Sequence, residues 1–184
     1  CADTRQLVEE VSALSGKLSL AGYDLEEDAE IAREYGVDKA PSLVIAGGNG
    51  SKTIDYGIRF AGLPSGHEFS SLIQDILPFS SGQSDLSDKT MTYLSTLDQP
   101  LHLQVFVTPT CPHCPRAVIL AHQLAFASEH IVAEMVEASE FKELADRYNV
   151  RGVPFTTINH GAGQVIGAVP EEQLIAEIKN VLAA

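Results

Sequence analysis

From Ser87 to Leu97 the apolar residues Met91, Leu94 and Leu97 recur at the spacing of one helix face, with Ser87 where a cap belongs. Leu101 to Val107 is rich in apolar and β-branched residues and is stopped by Thr108-Pro109-Thr110, which reads as a strand. The pattern then predicts a helix from about Pro112 to Phe126 and a strand from Ile131 to Glu137. A further helix, capped by Ser139, runs through Tyr148. Phe155 to Asn159 and Gln164 to Gly167 flank His160-Gly161-Ala162-Gly163 as a hairpin. Leu174, Ile175, Ile178 and Leu182 share one face of a closing helix. The order α-β-α-β-α-β-β-α predicts an α/β fold with three layers around a mixed sheet.

The first half of the chain repeats this order. Residues 30–45 lie over residues 143–158 at an offset of 113, with Glu, Ala, Tyr, Val, Pro and Ile identical at 6 of 16 positions. The same offset carries Cys114 onto Cys1 and Glu137 onto Asp24. Two homologous units follow, residues 1–82 and 83–184, linked by Phe79-Ser80-Ser81-Gly82-Gln83-Ser84. Unit 1 is expected to hold a helix over Ala2 to Leu14, a strand over Leu18 to Asp24 and a helix over Glu27 to Tyr35. A hairpin from Ser42 to Arg59 and a helix from Glu68 to Leu77 complete it. Longer loops at Gly47-Gly48-Asn49-Gly50 and Gly62-Leu63-Pro64-Ser65-Gly66 slip the register by about eight before that last helix. Unit 1 has no counterpart of residues 85–113, the helix, strand and turn that open unit 2. A unit without its main strand could not close a core, so roughly 20–30 upstream residues are expected.

Composition narrows the class. Of 184 residues, 45% are hydrophobic and 20% charged, with 14 Gly and 9 Pro, which excludes disorder, collagen-like repeats and a disulfide-stapled miniprotein. Twelve basic against 25 acidic residues leave −13, spread as −7 over residues 1–82 and −6 over 83–184. No basic stripe exists to hold phosphates, so nucleic acid is not an expected partner. The acid reads as solvated surface. No apolar run approaches the ~20 residues of a membrane span. Cys1-Ala2-Asp3-Thr4-Arg5 shows no signal peptide, so a cytoplasmic setting without a membrane partner is expected.

Three cysteines make no framework, but Cys111-Pro112-His113-Cys114 sits at a predicted strand-to-helix turn. A thiolate is the nucleophile of disulfide exchange, and the exposed amides and dipole of a helix N-terminus stabilise it. Three-residue spacing folds the second thiol back onto the first, with Cys111 exposed and attacking, and Cys114 inward and resolving. Pro115 falls in the first helical turn, where a missing amide costs little. The competing reading, a structural zinc site, needs four ligands, and no second Cys or His pair follows at ligand spacing. His122, two helical turns beyond Cys114, is ~12 Å away by helical rise. No metal and no cofactor are therefore expected.

With Val153-Pro154 about forty residues beyond the dithiol and before another strand, this pattern resembles the thioredoxin fold. The tandem arrangement is more specific. Phe106-Val107-Thr108-Pro109-Thr110-Cys111-Pro112-His113-Cys114-Pro115 with Tyr148-Asn149-Val150-Arg151-Gly152-Val153-Pro154 resembles the glutaredoxin-like protein disulfide oxidoreductases, which carry two thioredoxin units. Phe60-Ala61-Gly62-Leu63-Pro64-Ser65-Gly66-His67-Glu68-Phe69 matches the same family. The N-terminal redox domain of the bacterial peroxiredoxin-reducing flavoenzyme shares the double-unit plan. The resemblance implies that Cys111 is the nucleophile, Cys114 its resolving partner, and Pro154 a cis proline facing the dithiol. The Val153 backbone would then pair with an extended substrate chain. Pro41 is the unit 1 equivalent, and Cys1 matches the family's second cysteine there, a candidate second site. That family's first cysteine would fall upstream of Cys1.

Neighbouring residues refine the expectation. His113, with Pro112, is placed to tune the dithiol, since an imidazolium beside the thiolate lowers the Cys111 pKa. The same Pro-His dipeptide stands in a periplasmic oxidant whose thiol pKa is ~3.5. Thioredoxins carry a buried acid about six residues before the first cysteine, and here that position is Val105. Glu137 and Asp24, at equivalent strand ends, read as caps for the following helix, with a proton role as the alternative. Gly167-Ala168 replaces the two glycines of glutathione users, which argues against glutathione. His67, His102, His122, His130 and His160 read as scattered structural residues, and Tyr35 and Tyr148 as core packing.

Disulfide exchange on protein thiols through a mixed disulfide is the leading expectation. Alternatives are an electron relay between a flavin-dependent, thioredoxin-reductase-like protein and a peroxidase, a non-catalytic binding module, and a dimer bridging an iron–sulfur cluster.

Overall fold

The computed structural model describes residues 1–48, 53–76 and 84–183. The linker from Phe79 to Gln83, with the expected boundary after residue 82, and the hairpin tip Asn49-Gly50 lie outside them. In chain order the elements are α1 (Ala2–Ser12), α2 (Ala29–Glu34), β1 (Ser42–Gly48), β2 (Thr53–Ala61) and a 3-10 turn (Gly66–Glu68) that runs into α3 (Phe69–Ile76). Then come α4 (Asp88–Leu94), β3 (Leu101–Val107), α5 (Cys114–Ala127), β4 (Ile131–Glu137) and α6 (Lys142–Arg147). The chain closes with β5 (Phe155–Ile158), a second 3-10 turn (Asn159–Gly161), β6 (Gly163–Ile166) and α7 (Glu171–Leu182).

One six-stranded mixed sheet runs in the order β1-β2-β4-β3-β5-β6. β3 and β4 are parallel, which requires a crossover, and α5 supplies it. β5 and β6 form an antiparallel hairpin beside β3. β2 pairs parallel to β4, so the β1–β2 hairpin extends the sheet formed by β3 to β6. Strand alternation distributes side chains to two layers. Leu101, Leu103, Val105 and Val107 face a core completed by Leu72 of α3, Val118 and Leu124 of α5, and Ile178 of α7. Phe106, Val136 and Phe155 face the opposite layer, against Ala145 and Leu144 of α6. The three-layer α/β/α fold expected from the pattern is present.

The repeat extends to backbone detail. α2 and α6 begin and end at the same offset of 113. Gly36 and Asn149, each just past its helix, adopt left-handed φ of 63° and 54°. Val37 N–H donates to Ala32 O at 2.8 Å, and Val150 N–H to Ala145 O at 3.0 Å, the Schellman helix ending. Ala40–Pro41 and Val153–Pro154 are both cis. Beyond the prolines the offset drops by eight: Gly62 N–H donates to Pro41 O and Gly167 N–H to Pro154 O, at 2.9 and 2.8 Å.

Several expectations are corrected. Leu18 to Asp24 forms no strand; Leu20 is 46% exposed and Tyr23 59%. Its counterpart β4 is held between β2 and β3, whereas among the described residues no strand lies beside Leu18 to Asp24. The helix expected from Glu27 spans only α2, and the one expected from Pro112 starts at Cys114, because the dithiol turn occupies residues 108–113. Ser139 does not cap α6; Phe141 holds that position, and Glu137 Oε2 instead accepts from Glu140 N–H at 2.7 Å. Ser87 does cap α4, accepting from Thr90 N–H at 3.3 Å.

Candidate functional site

β3 ends at Val107, and the chain turns through Thr108 to Cys111, whose N–H donates to Thr108 O at 3.1 Å. Cys111 and Cys114 are joined as a disulfide, with Cα atoms 5.5 Å apart. Cys114 opens α5 and Pro115 follows in its first turn, so the sulfurs lie where unpaired helix amides converge. Cys114 is fully enclosed, while Cys111 retains 8% exposure. The expected order of accessibility is present, but Cys111 is a buried residue in the disulfide form, not an exposed one. Pro112 and His113 are exposed, and His113 is the helix N-cap residue without a side-chain capping bond.

Pro154 lies at the same end of the sheet. Phe106 pairs with Phe155, so one further step of antiparallel register sets Pro154 abreast of Val107, at the root of the dithiol turn. Val153 is half-buried and packs against both cores. Cys1 is exposed and unpaired at the N-cap of α1, and Pro41 is half-buried at the start of β1. The described residues place no second sulfur beside Cys1.

The segment after β2 contributes the other wall. His67 N–H donates to Pro109 O at 3.0 Å, two residues before Cys111. Gly66 has φ of +59°, and a Cβ there would stand 2.3 Å from Pro109 O, so this junction requires glycine. Leu63 N–H donates to Glu140 Oε1 at 2.6 Å, which ties the same loop to the turn after β4. The residue after His67, Glu68, is a carboxyl at 1% exposure, pushed up to about 7 by burial. Its Oε2 accepts from Ser71 Oγ at 2.7 Å.

Sequence reasoning takes Glu68 as a helix start and passes over Asp75. Yet Glu68, Ser71, Leu72 and Asp75 follow i, i+3, i+4, i+7, the buried stripe of one helix, and that pattern is readable. Val105, at the place of the thioredoxin acid, faces the same core as Cys114 and Leu72. β3 thus offers valine at that place, and the carboxyl buried beside α3 is Glu68. Asp24 and Glu137 do not cap the following helices, whose N-caps are Asp28 and Phe141; they accept backbone N–H groups of the intervening turns. Asp24 Oδ1 accepts from Glu26 and Glu27 N–H, which lowers its pKa, the Glu27 bond more than the Glu26 one.

The histidines are less scattered than expected. His122 Nδ1 lies 2.6 Å from Asp75 Oδ2, both buried. His102 and His160 stack with ring centroids 4.7 Å apart at the far end of β3, and burial holds His102 down to about 4. Tyr148 packs edge-on against Phe106, as core packing requires, while Tyr35 lies under the Arg59 guanidinium. Among the described residues, no group of three or more His, Cys, Asp or Glu is placed to hold a metal, and no helix is long and apolar enough to cross a membrane.

Residues 101–180 match the family described as "Thioredoxin domain". A protein disulfide oxidoreductase from Aeropyrum pernix K1 superposes with a TM-score of 0.87 at 32% identity, covering 97% of this chain and 78% of that one. The alkylhydroperoxide reductase AhpF from Enterococcus faecalis V583 superposes with a TM-score of 0.85 at 29% identity, covering 96% and 83%. A Bacillus subtilis protein named NADH dehydrogenase is 25% identical over 178 residues, which are 96% of this chain and 31% of that protein. The chain thus spans less than a third of the curated relatives it matches.

Proposed function

We propose that this chain, which belongs to the thioredoxin-fold protein disulfide oxidoreductases, exchanges disulfides with protein substrates through Cys111, with Cys114 as the resolving thiol. The observation that carries the reading is the Cys111–Cys114 disulfide at the β3–α5 turn, with cis Val153–Pro154 abreast of Val107, the strand end that leads into that turn. In the reducing half-reaction a donor thiolate attacks Cys111 Sγ, the sulfur with residual access. The Cys111–Cys114 bond breaks and its electron pair goes to Cys114 Sγ. A second donor thiolate then attacks the donor sulfur of the mixed disulfide and releases Cys111 as thiolate. Two electrons pass from the donor dithiol to the pair, and the donor leaves as a disulfide. The helix N-terminus stabilises the Cys111 thiolate, and His113 adds to it.

Cys114 Sγ, generated in an enclosed seam, needs a proton. Glu68 is the buried carboxyl that unit 1 brings to the dithiol turn, and its protonation range near 7 suits donation on reduction and acceptance on oxidation. Val153 offers its backbone to an extended segment of the partner, a contact that reads shape more than sequence. The division into units at 1–82 and 83–184 belongs to this reading, with unit 2 carrying the chemistry and unit 1 the supporting wall. Cys1 with Pro41 is a second site in outline only. One exposed unpaired cysteine suits a reducing compartment, so the cytoplasm is the proposed setting.

The test is reduction of insulin disulfides by dithiothreitol with the chain as catalyst. Wild type should accelerate it and Cys111→Ser should not; Cys114→Ser should accumulate a mixed disulfide. Full activity of Cys111→Ser would refute the assignment. A second reading, an electron relay from a flavin-dependent reductase to a peroxidase, is favoured by the likeness to the E. faecalis alkylhydroperoxide reductase. It differs in partner and not in chemistry.

A further inference from the structure

Between α3 of unit 1 and α5 of unit 2, the seam that carries Glu68 encloses a second pair of polar side chains. Asp75 is 5% exposed and His122 fully buried. His122 Nδ1 stands 2.6 Å from Asp75 Oδ2. With Asp75 as a carboxylate, which can only accept, Nδ1 donates the hydrogen and Nε2 is the ring's remaining polar atom. The Phe60 ring closes on the imidazole edge-to-face, centroids 4.9 Å apart. His122 Nε2 and Glu68 Oε1 are both buried without a hydrogen-bond partner. Buried polar atoms are nearly always paired, and each exception calls for a reason, a redox or catalytic role among them.

The surrounding elements bring mostly apolar side chains to the core on this face, with Tyr56 of β2 half-buried among them. From β2, β3, β4 and α4 the side chains of the core on this face of the sheet are Ile58, Phe60, Leu103, Val105, Met135 and Leu94, none of them charged. The charges that act on Glu68 are those of His122, which draws its proton affinity down, and Asp75, which pushes it up.

We propose that Asp75 and His122 are positioning residues for Glu68, so that helix α3 of one unit sets the pH at which the dithiol of the other unit takes up its proton. This rests on the exchange reading above. When Cys114 Sγ takes the electron pair of the broken bond and the Glu68 proton, Glu68 is left as a carboxylate sealed from water. Its charge is balanced from the His122 side, where the imidazole is held in register by Asp75. Glu68 regains that proton from Cys114 when the dithiol is reoxidised, so no further reactant is consumed. A single buried acid near a dithiol would do this with one fixed affinity. An Asp–His pair behind it supplies two opposed adjustments.

The experiment is the pH dependence of the Cys111–Cys114 midpoint potential in the full chain, equilibrated against a dithiothreitol couple. The wild-type curve should bend near pH 7 and the Glu68→Gln curve should lose the bend. His122→Asn should move the bend up by at least half a pH unit, and Asp75→Asn should move it down. Shifts in the same direction, or no shift in either, would overturn the proposal, because loose packing alone has no reason to split the two signs. A variant-free measurement covers a failure to fold. In wild type, the Glu68 side-chain carboxyl carbon and His122 Nε2, followed by heteronuclear NMR, should respond to one common titration. Independent responses would also overturn the proposal. Insulin reduction at pH 7 separates the two readings: if wild type catalyses it and the bends stay fixed, only the positioning role fails. If wild type does not catalyse it, the exchange reading fails first.

Discussion

Ile131–Glu137 and Leu18–Asp24 occupy the same place in the repeat, and only the first is a strand. Both begin with aliphatic residues, both end in an acid, and both acids accept backbone N–H groups of the following turn. What separates them is company. β4 has β3 on one side and β2 on the other, so its amides and carbonyls are paired and Ile131, Ala133 and Met135 are enclosed. Leu18–Asp24 has neither neighbour among the described residues and stays open, with Leu20 and Tyr23 exposed. Strand character is thus assigned by partners as much as by sequence, and the pattern of a segment states only its capacity. The hairpin of unit 1 shows the other side of the same rule. β1 and β2 form because β4 provides a place beside which they can extend.

The comparison is broken most sharply at the cysteines that the repeat superimposes. Cys111→Ser should lower insulin-reduction kcat/KM by about 10⁴-fold or more, the scale of losing a covalent nucleophile. Cys1→Ser, at the position the repeat lays over Cys114, should change it less than about twofold. Comparable losses in the two variants would make unit 1 a working site in its own right.

Packing gives the next contrast. Ile131→Ala, at a residue 1% exposed, should cost about 2–5 kcal/mol in urea unfolding, from lost burial and the cavity left behind. Leu20→Ala should stay within about 0.5 kcal/mol, as an exposed site does. A large loss at Leu20 would show that the open segment is covered in solution.

Much of this is legible in the chain itself. The order of elements, the offset of 113, both cis-proline positions and the dithiol turn all follow from short-range pattern or from the family resemblance. Leu18–Asp24 misleads because the pattern carries no record of whether a neighbour exists. Glu68, Asp75 and His122 escape for a related reason. Each lies on the apolar stripe of its own helix, but their meeting depends on how α3 of one unit packs on α5 of the other, which no local signal encodes. The single sheet spanning both units is invisible on the same ground.

Glu68 also makes a pH prediction about stability. Folded, it holds its proton up to about 7, whereas the unfolded chain releases it near the ordinary value of 4.5. Between those values the folded state binds more protons, so its contribution to stability is complete below 4.5 and is lost as pH rises through 7. The loss amounts to about 3 kcal/mol. Glu68→Gln should flatten that decline, measured as unfolding free energy at pH 5 and pH 8. An equal decline in wild type and variant would place the cost elsewhere.

The smallest expected effect concerns the turn that unit 2 has and the described part of unit 1 does not. His113 stands between the two sulfurs in sequence, exposed at the N-cap of α5, with no side-chain capping bond to hold it away from the site. A side chain able to carry positive charge there adds to the pull of the helix amides on the Cys111 thiolate and favours the reduced form. His113→Tyr removes that contribution and keeps an aromatic ring of comparable reach, so the dithiol should become more reducing. A fall of about 30 mV in the midpoint potential would correspond to ~1.4 kcal/mol for this two-electron couple. The unfolding free energy should hardly move, since the residue is exposed and touches no core, and that distinguishes tuning from packing. An unchanged potential would leave the helix terminus alone as the source of thiolate stability. A rise would mean that the imidazole acts in the disulfide form and not in the thiolate.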